Sequence, residues 1–211
     1  MTEIYITRHG ETDWNAQQIF RGLADIDLNA AGIKQAELLA GYLKDVQFEA
    51  IYCSPLERAQ RTARIIAGQH YRLQVDPAMD LIDLDFGEWQ GVSAEDVKEK
   101  DPETYKRWQK EPQRVRIPGG ESIIDVKKRV QKFLDNTVNK HEGAILLVSH
   151  RIVAKVLILQ MLGMDVSHFQ NIKMDPCGVT VFSYENDRFV LVRHNDICFL
   201  KSLQKAPIDD F

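Results

Sequence analysis

The stretch YITRHGETDWN, residues 5–15, decides how the chain is read. A β-branched and aromatic run stops at Thr7, and Arg8, His9, Gly10, Glu11 and Thr12 follow at once. Residues of the first kind suit a strand, so IYIT (4–7) reads as one. A core strand usually leads into a plain turn. This one leads into a cation, an imidazole and a glycine, a cluster suited to an anion.

Outward from that strand, the chain alternates. AAGIKQAELLAGYLKDV reads as a helix, with Ile33, Ala36, Ala40 and Leu43 on one face. EAIYCS (49–54) reads as a second strand. Ser54, Pro55 and Glu57 then predict a helix start, with Ser54 as N-cap, Pro55 at the first helical position and Glu57 completing a capping box. Leu56, Ala59, Ala63 and Ile66 form that helix's apolar stripe. Residues 70–120 are less regular and hold Trp89 and Trp108, several prolines and short helical pieces such as AEDVKEK and PETYKRWQKE. They read as an insertion over the sheet edge, or a lid. Ile123, Val126, Val130, Phe133 and Leu134 recur at helical spacing. AILLVS (144–149) reads as a buried strand leading into the helix IVAKVLILQML. GVTVFSY and RFVLVRH read as a hairpin around Asn186 and Asp187. This order predicts one α/β domain over 1–211, three-layered, with a mainly parallel central sheet and helices on both faces. In such sheets ligands bind beyond the carboxyl ends of the strands.

Composition is that of an ordinary globular chain, with 44% hydrophobic and 27% charged residues among 211. The net charge of −4 gives no push toward nucleic acid or a membrane surface, so an anion site must be built locally. Three cysteines, Cys53, Cys177 and Cys198, form no CxxC pair, and a reduced cytoplasmic protein is the expectation. No leader pattern opens the chain, and no apolar run approaches the roughly 20 residues of a membrane span. The Cys177–Leu203 hairpin reads as an ordinary sheet edge, with a dimer edge as the alternative, so a monomer or homodimer is expected. The terminal KAPIDDF reads as a frayed tail.

The polar residues collect at strand ends. His9 follows one strand, His150 follows another, and Arg58 lies in the first turn of the helix after IYCSP. Two guanidiniums can hold a phosphate through paired charge-assisted hydrogen bonds. A neutral imidazole can attack phosphorus and form a phosphohistidine. Neighbouring arginines hold a histidine pKa down and keep it neutral. Gly10 allows close backbone approach, and the helix starting at Ser54 adds a positive dipole end. Each residue alone has a plainer reading: a structural histidine, a surface arginine, and in Cys53 a buried small hydrophobe rather than a nucleophile. HxH and HExxH spacings are absent, so no metal is expected.

Taken together, the motifs resemble the histidine phosphatase superfamily, also called phosphoglycerate mutase-like. TRHGETDWN is similar to R-H-G-x-T-x-x-N. DIDLNAAGIKQAELLAGYL, YCSPLERAQRTARIIA, LDFGEWQG, PGGES and LLVSH follow in the family's order, over roughly residues 4–200. The branch most resembled is that of the α-ribazole and broad-specificity phosphatases. The resemblance implies a phosphoglycerate mutase-like fold with no metal or organic cofactor. It implies His9 as the phosphorylated nucleophile, and Arg8, Arg58 and His150 as the phosphate pocket. Asn15 would contact the transferred group, and Arg21 and Gly22 would lie on a substrate-facing loop.

Three positions depart from the family pattern. The acid is usually a glutamate four residues before the glycine of F-G-x-W, and counting back from Gly87 gives Asp83, one methylene shorter. Asp80, Asp85 and Glu88 are nearby carboxylates that do not match that position. Gln90 replaces a usual glutamate. Arg151 follows the second histidine, where small residues are common; it either adds charge at the mouth of the site, favouring a second anionic group on the substrate, or runs along its helix into solvent. The expected activity is metal-independent hydrolysis of a small phosphorylated metabolite, α-ribazole phosphate being one substrate the branch implies. A cofactor-dependent phosphoglycerate mutase and a weakly catalytic phosphate-binding regulator are the alternatives.

Overall fold

Six strands form one sheet in the order β3-β2-β4-β1-β5-β6. The computed structural model describes residues 1–203, so KAPIDDF lies outside the described residues. The strands are β1 (Thr2–Arg8), β2 (Phe48–Cys53), β3 (Val75–Pro77), β4 (Ala144–Ser149), β5 (Val179–Glu185) and β6 (Arg188–Asp196). The α-helices are α1 (Asp13–Ala16), α2 (Ala30–Leu43), α3 (Glu57–Ala67), α4 (Ala94–Lys100), α5 (Pro102–Lys110), α6 (Ile123–Thr137) and α7 (Arg151–Met161). Strands β3, β2, β4 and β1 are parallel, whereas β5 pairs antiparallel with both β1 and β6. The architecture is the three-layer α/β fold expected.

All six residues of β4 are buried, which explains its continuous apolar run: both faces are covered by helices. Ile4, Ile6, Ile145 and Leu147 project into one core with Val126, Val130 and Phe133 of α6 and Val153 and Leu157 of α7. Leu146, Val148, Ile51 and Cys53 project into a second core with Ala36 and Leu39 of α2 and Ala59, Ala63 and Ile66 of α3. Residues 70–120 supply β3 at the sheet edge and then cross the first face, where Leu81, Leu84, Phe86, Trp89 and Trp108 join its core. The β5–β6 hairpin turns at Asn186 and Asp187, both with positive φ (52° and 57°), as a tight hairpin turn demands.

One local expectation is corrected. Helix α3 starts at Glu57, with Leu56 and not Ser54 at the N-cap. The Ser54 hydroxyl is engaged by His150, 96 residues away. The Glu57 N–H is instead capped by the Asp25 carboxylate at 2.7 Å. That acidic cap occupies the positive helix end assigned above to an anion.

Register fixes the site. Arg8 pairs with Ser149, and Cys53 with Val148, so β1, β4 and β2 end at one level. The His9 N–H then donates to Ser149 O and the Ser54 N–H to Val148 O, both at 2.9 Å. His9, Ser54 and His150 therefore leave the sheet side by side.

Candidate active site

Gly10 carries the chain away from β1 past the start of α2. A Cβ on Gly10 would lie 2.4 Å from Gly32 O, and one on Gly32 would lie 2.0 Å from Glu11 O. Only paired glycines permit this approach. The Gly10 N–H donates to Thr62 Oγ1 (3.1 Å), and the Thr62 hydroxyl donates in turn to Arg58 O (2.8 Å), tying the loop to α3.

His9 and His150 are each 1% exposed, with ring centroids 5.1 Å apart. His9 Nδ1 lies 2.6 Å from the Gly10 carbonyl. A carbonyl only accepts, so Nδ1 carries the proton and Nε2 keeps its lone pair. Arg58 Nε–H donates to His150 Nδ1 (3.3 Å), which leaves the His150 proton on Nε2, 2.7 Å from Ser54 Oγ. Both imidazoles are held well below their ordinary pKa, first by burial and next by the Arg58 guanidinium. For His9 the further causes are His150, Arg8 and Arg21. Both rings are thus neutral at pH 7.

Arg58 is fully buried and serves as a strut. It donates from Nη1 to Ala24 O (2.8 Å), and from Nη2 to Gly22 O (2.8 Å) and Asp83 Oδ2 (3.1 Å). Burial lowers its pKa, and the Asp83 carboxylate opposes that shift. Asp83 Oδ2 also lies 3.5 Å from His150 Nδ1, and Oδ1 accepts the Leu84 N–H at 2.9 Å. Arg8 donates from Nη1 to Met174 O (3.1 Å). Asn15 is buried, and its Oδ1 accepts from the Thr12 amide (3.0 Å) and hydroxyl (2.8 Å).

The structure therefore brings Arg8, His9, Arg21, Arg58, Asp83 and His150 to one place. A cleft lined by Ile19, Phe20, Arg21, Asp83, Phe86, Arg151 and Ile152 borders it, sharing Arg21 and Asp83. Arg151 lies in the cleft wall. Gly22 contributes a carbonyl to Arg58, with φ of +52°. Gln90 Oε1 accepts the Leu23 N–H at 2.8 Å and so holds the same loop. Helix α7 begins at Arg151, directly after His150, so its positive end lies at the site. Buried Arg8, Arg21 and Arg58 against buried Asp83 leave two positive charges in excess around neutral histidines. Burial pushes the Cys53 thiol up to about 12, which leaves it inert. Among the described residues, no group of three His, Cys, Asp or Glu side chains could hold a metal ion. No helix described is long and apolar enough to cross a membrane.

Three supports escape the sequence reading: Thr62, the Ser54–His150 bond, and Arg129, whose guanidinium donates to Asp80 O and Asp83 O. Arg129 leaves a sequence trace. It sits three residues after Val126 and four before Phe133, on the apolar stripe of α6.

The buried histidines give a pH dependence of stability. Unfolded histidine titrates near about 6.5, and both folded pKa values lie well below. As pH falls, the unfolded chain takes up protons first. The stability the two groups contribute is complete above about pH 6.5 and is lost progressively as pH drops toward the folded values. The expected result is a Tm that falls between pH 7 and pH 5, with a shallower fall in His9→Asn, measured by thermal denaturation across pH. An equal slope in both proteins would contradict a neutral buried His9.

A buried, neutral histidine pair among arginines, beside a cleft beyond parallel strand ends, is an arrangement suited to phosphoryl chemistry. Comparison with known proteins agrees. The histidine phosphatase superfamily (branch 1) profile matches residues 4–197, and the chain belongs to that superfamily. It is 36% identical over 201 residues to phosphoserine phosphatase 1 of Hydrogenobacter thermophilus, covering 95% of each. It is 33% identical over 173 residues to the adenosylcobalamin/α-ribazole phosphatase of Escherichia coli, covering 82% of this chain and 85% of that one. The solved structure of Entamoeba histolytica phosphoserine phosphatase, in complex with 3-phosphoglyceric acid, superposes with a TM-score of 0.84 at 32% identity, covering 95% of this chain and all of that one. The protein is a phosphatase of the phosphoric monoester class.

Proposed function

We propose that the protein hydrolyses a compact, anionic phosphomonoester of the phosphoserine type, without metal, through a phosphohistidine at His9. The observation that carries this reading is the charge excess: three buried arginines and one carboxylate surround two neutral imidazoles, which matches a phosphate dianion. His9 Nε2 attacks phosphorus, and the bond to the ester oxygen breaks. Asp83, a carboxylate in the resting protein, takes up a proton from solvent as the phosphate displaces it from Arg58, and passes that proton to the departing oxygen. In the second step water attacks phosphorus, Asp83 takes the water proton, and the phosphorus–nitrogen bond breaks to regenerate His9. Arg8 and Arg58 follow the charge on the phosphoryl oxygens, Asn15 is a further donor, and the His150 N–H becomes one when it exchanges Ser54 Oγ for a phosphoryl oxygen. The phosphate competes for the guanidinium that Asp83 holds at 3.1 Å in the resting protein.

The substrate class rests on the cleft wall. Arg21 and Arg151 flank the way in, between apolar Ile19, Phe20, Phe86 and Ile152. Arg151 is the group for a substrate carboxylate, and the phosphoserine phosphatase relative matches nearly the full chain. The test is phosphate release, with a chelator present, from phosphoserine, 3-phosphoglycerate, α-ribazole phosphate and p-nitrophenyl phosphate. The expected result is highest kcat/KM on phosphoserine. In Arg151→Ala, KM for phosphoserine rises about tenfold or more, the usual worth of a charged hydrogen bond, while p-nitrophenyl phosphate is barely affected. Preference for α-ribazole phosphate would keep the mechanism and move the substrate to that of the Escherichia coli relative. Release from no ester would reject hydrolysis.

A further inference from the structure

We infer that Arg129, outside the phosphate site, is the positioning residue for the proton donor, and that it sets leaving-group protonation by fixing the backbone that carries Asp83. The inference rests on Asp83 as the acid in the reading above.

The segment that carries Asp83 is irregular and buried: Leu81 and Leu84 are fully covered and Asp83 is 5% exposed. Backbone carbonyls in such a place need donors. Arg129, on α6, supplies two of them. Its Nη1 donates to Asp80 O (2.8 Å) and its Nη2 to Asp83 O (3.1 Å), on the acid's own peptide unit. The guanidinium is itself fixed edge-on by Glu121, with Nε–Oε1 and Nη2–Oε2 both at 3.1 Å. Glu121 Oε2 also accepts the Asp85 N–H (3.1 Å), and its own N–H donates to Asp85 O (2.9 Å). Ser149, the residue before His150, donates from Oγ to Leu81 O at 2.7 Å. The acid's backbone is thus tied to α6, to Glu121 and to the end of β4.

This arrangement matters more for an aspartate than for a glutamate. Asp83 has one rotatable side-chain bond fewer, so a backbone shift passes almost undiminished to the carboxyl. Misplacement of a reacting group by about 1 Å can cost roughly 10²-fold in rate. A guanidinium with two carbonyls on one edge and a carboxylate on the other resists such a shift better than apolar packing, which is non-directional.

A purely structural Arg129 would lower all rates together or lower only stability. A positioning Arg129 acts through Asp83 and must track the leaving group. In Arg129→Met, kcat/KM for phosphoserine, which reports the step in which the leaving group departs, is expected to fall about tenfold or more, while kcat/KM for p-nitrophenyl phosphate, whose leaving group needs no proton, falls less than about threefold. In the Asp83→Asn background, Arg129→Met should cost phosphoserine turnover nothing further, because the two changes act as one unit. Arg129→Lys, which keeps one donor, should recover part of the loss. If Arg129→Met does not fold, Arg129→Lys is measured alone, and an intermediate loss biased toward phosphoserine is the expected result. Equal loss of kcat/KM on the two esters, or full additivity with Asp83→Asn, overturns the inference. Absence of turnover, or of ester bias in kcat/KM between wild type and Asp83→Asn, rejects the acid assignment beneath it instead.

Discussion

Replacing His9 by alanine removes turnover and leaves the protein folded. The ring is buried, but its side-chain hydrogen bond goes to the neighbouring Gly10 carbonyl, and it meets the His150 ring edge-on. The backbone bonds that hold the loop, from the His9 N–H to Ser149 O and from the Gly10 N–H to Thr62, do not involve the imidazole. The variant keeps its register and its arginines and still binds phosphate. What it lacks is the lone pair on Nε2. Removal of a nucleophile from a preorganised site leaves only binding and electrostatic help, and the expected fall in kcat is about 10⁴-fold or more. Two measurements check this. Phosphate release reports the rate. Rapid quenching into base, where phosphohistidine survives and phosphoserine-type esters on protein do not, reports the covalent intermediate in the wild type and its absence in the variant. Near-normal turnover would remove His9 as the nucleophile. A circular dichroism spectrum and a pH 7 Tm close to those of the wild type separate lost chemistry from lost structure.

Much of this site was legible because its parts obey rules that act locally or through topology. Parallel strands present their carboxyl ends at one edge, so strands ending at Thr7 and Ser149 had to bring His9 and His150 together, and the Arg8–Ser149 pairing does so. Arg58 was legible from its place one turn into a helix on the same edge. Three features were not legible, each because a partner lies far away in sequence. Ser54-Pro55-Leu56-Glu57 satisfies every local requirement of a helix start, yet the Ser54 hydroxyl reaches His150 as well as the Leu56 N–H, and the helix opens later under Asp25. Arg58 was read as a phosphate ligand, but it also braces the Gly22 and Ala24 carbonyls, which no spacing rule reveals. Arg129 could have been noticed as a cation on an apolar stripe. Its partners, the carbonyls of Asp80 and Asp83, are 49 and 46 residues distant. A charged residue on a buried helical face must find a partner or pay desolvation, so that pattern is a usable signal even when the partner is not.

Asp83→Asn separates the two halves of the proposed reaction. Asparagine keeps the shape: its Oδ1 can still accept the Leu84 N–H now held at 2.9 Å, and the buried Arg58 keeps its bonds to Gly22 and Ala24. It cannot pass a proton. For phosphoserine the leaving alkoxide is strongly basic, and loss of the acid is expected to lower kcat by about 10²–10⁴-fold. For p-nitrophenyl phosphate the first step needs no proton and stays fast. The second step still needs a base to activate water, so phosphohistidine accumulates and p-nitrophenol appears as a burst followed by slow turnover. The charge change adds an independent sign. With Asp83 neutralised, the three buried arginines face no buried carboxylate, and the Arg58 guanidinium, now 3.1 Å from that carboxylate, is released toward an anion. Inorganic phosphate should therefore inhibit the variant at lower concentration than the wild type, even as turnover collapses. A residue whose role was to bind substrate would weaken both together. Equal losses on the two esters, with no burst and no tighter phosphate inhibition, would take the proton-transfer role away from Asp83 and leave it as a counter-charge to Arg58.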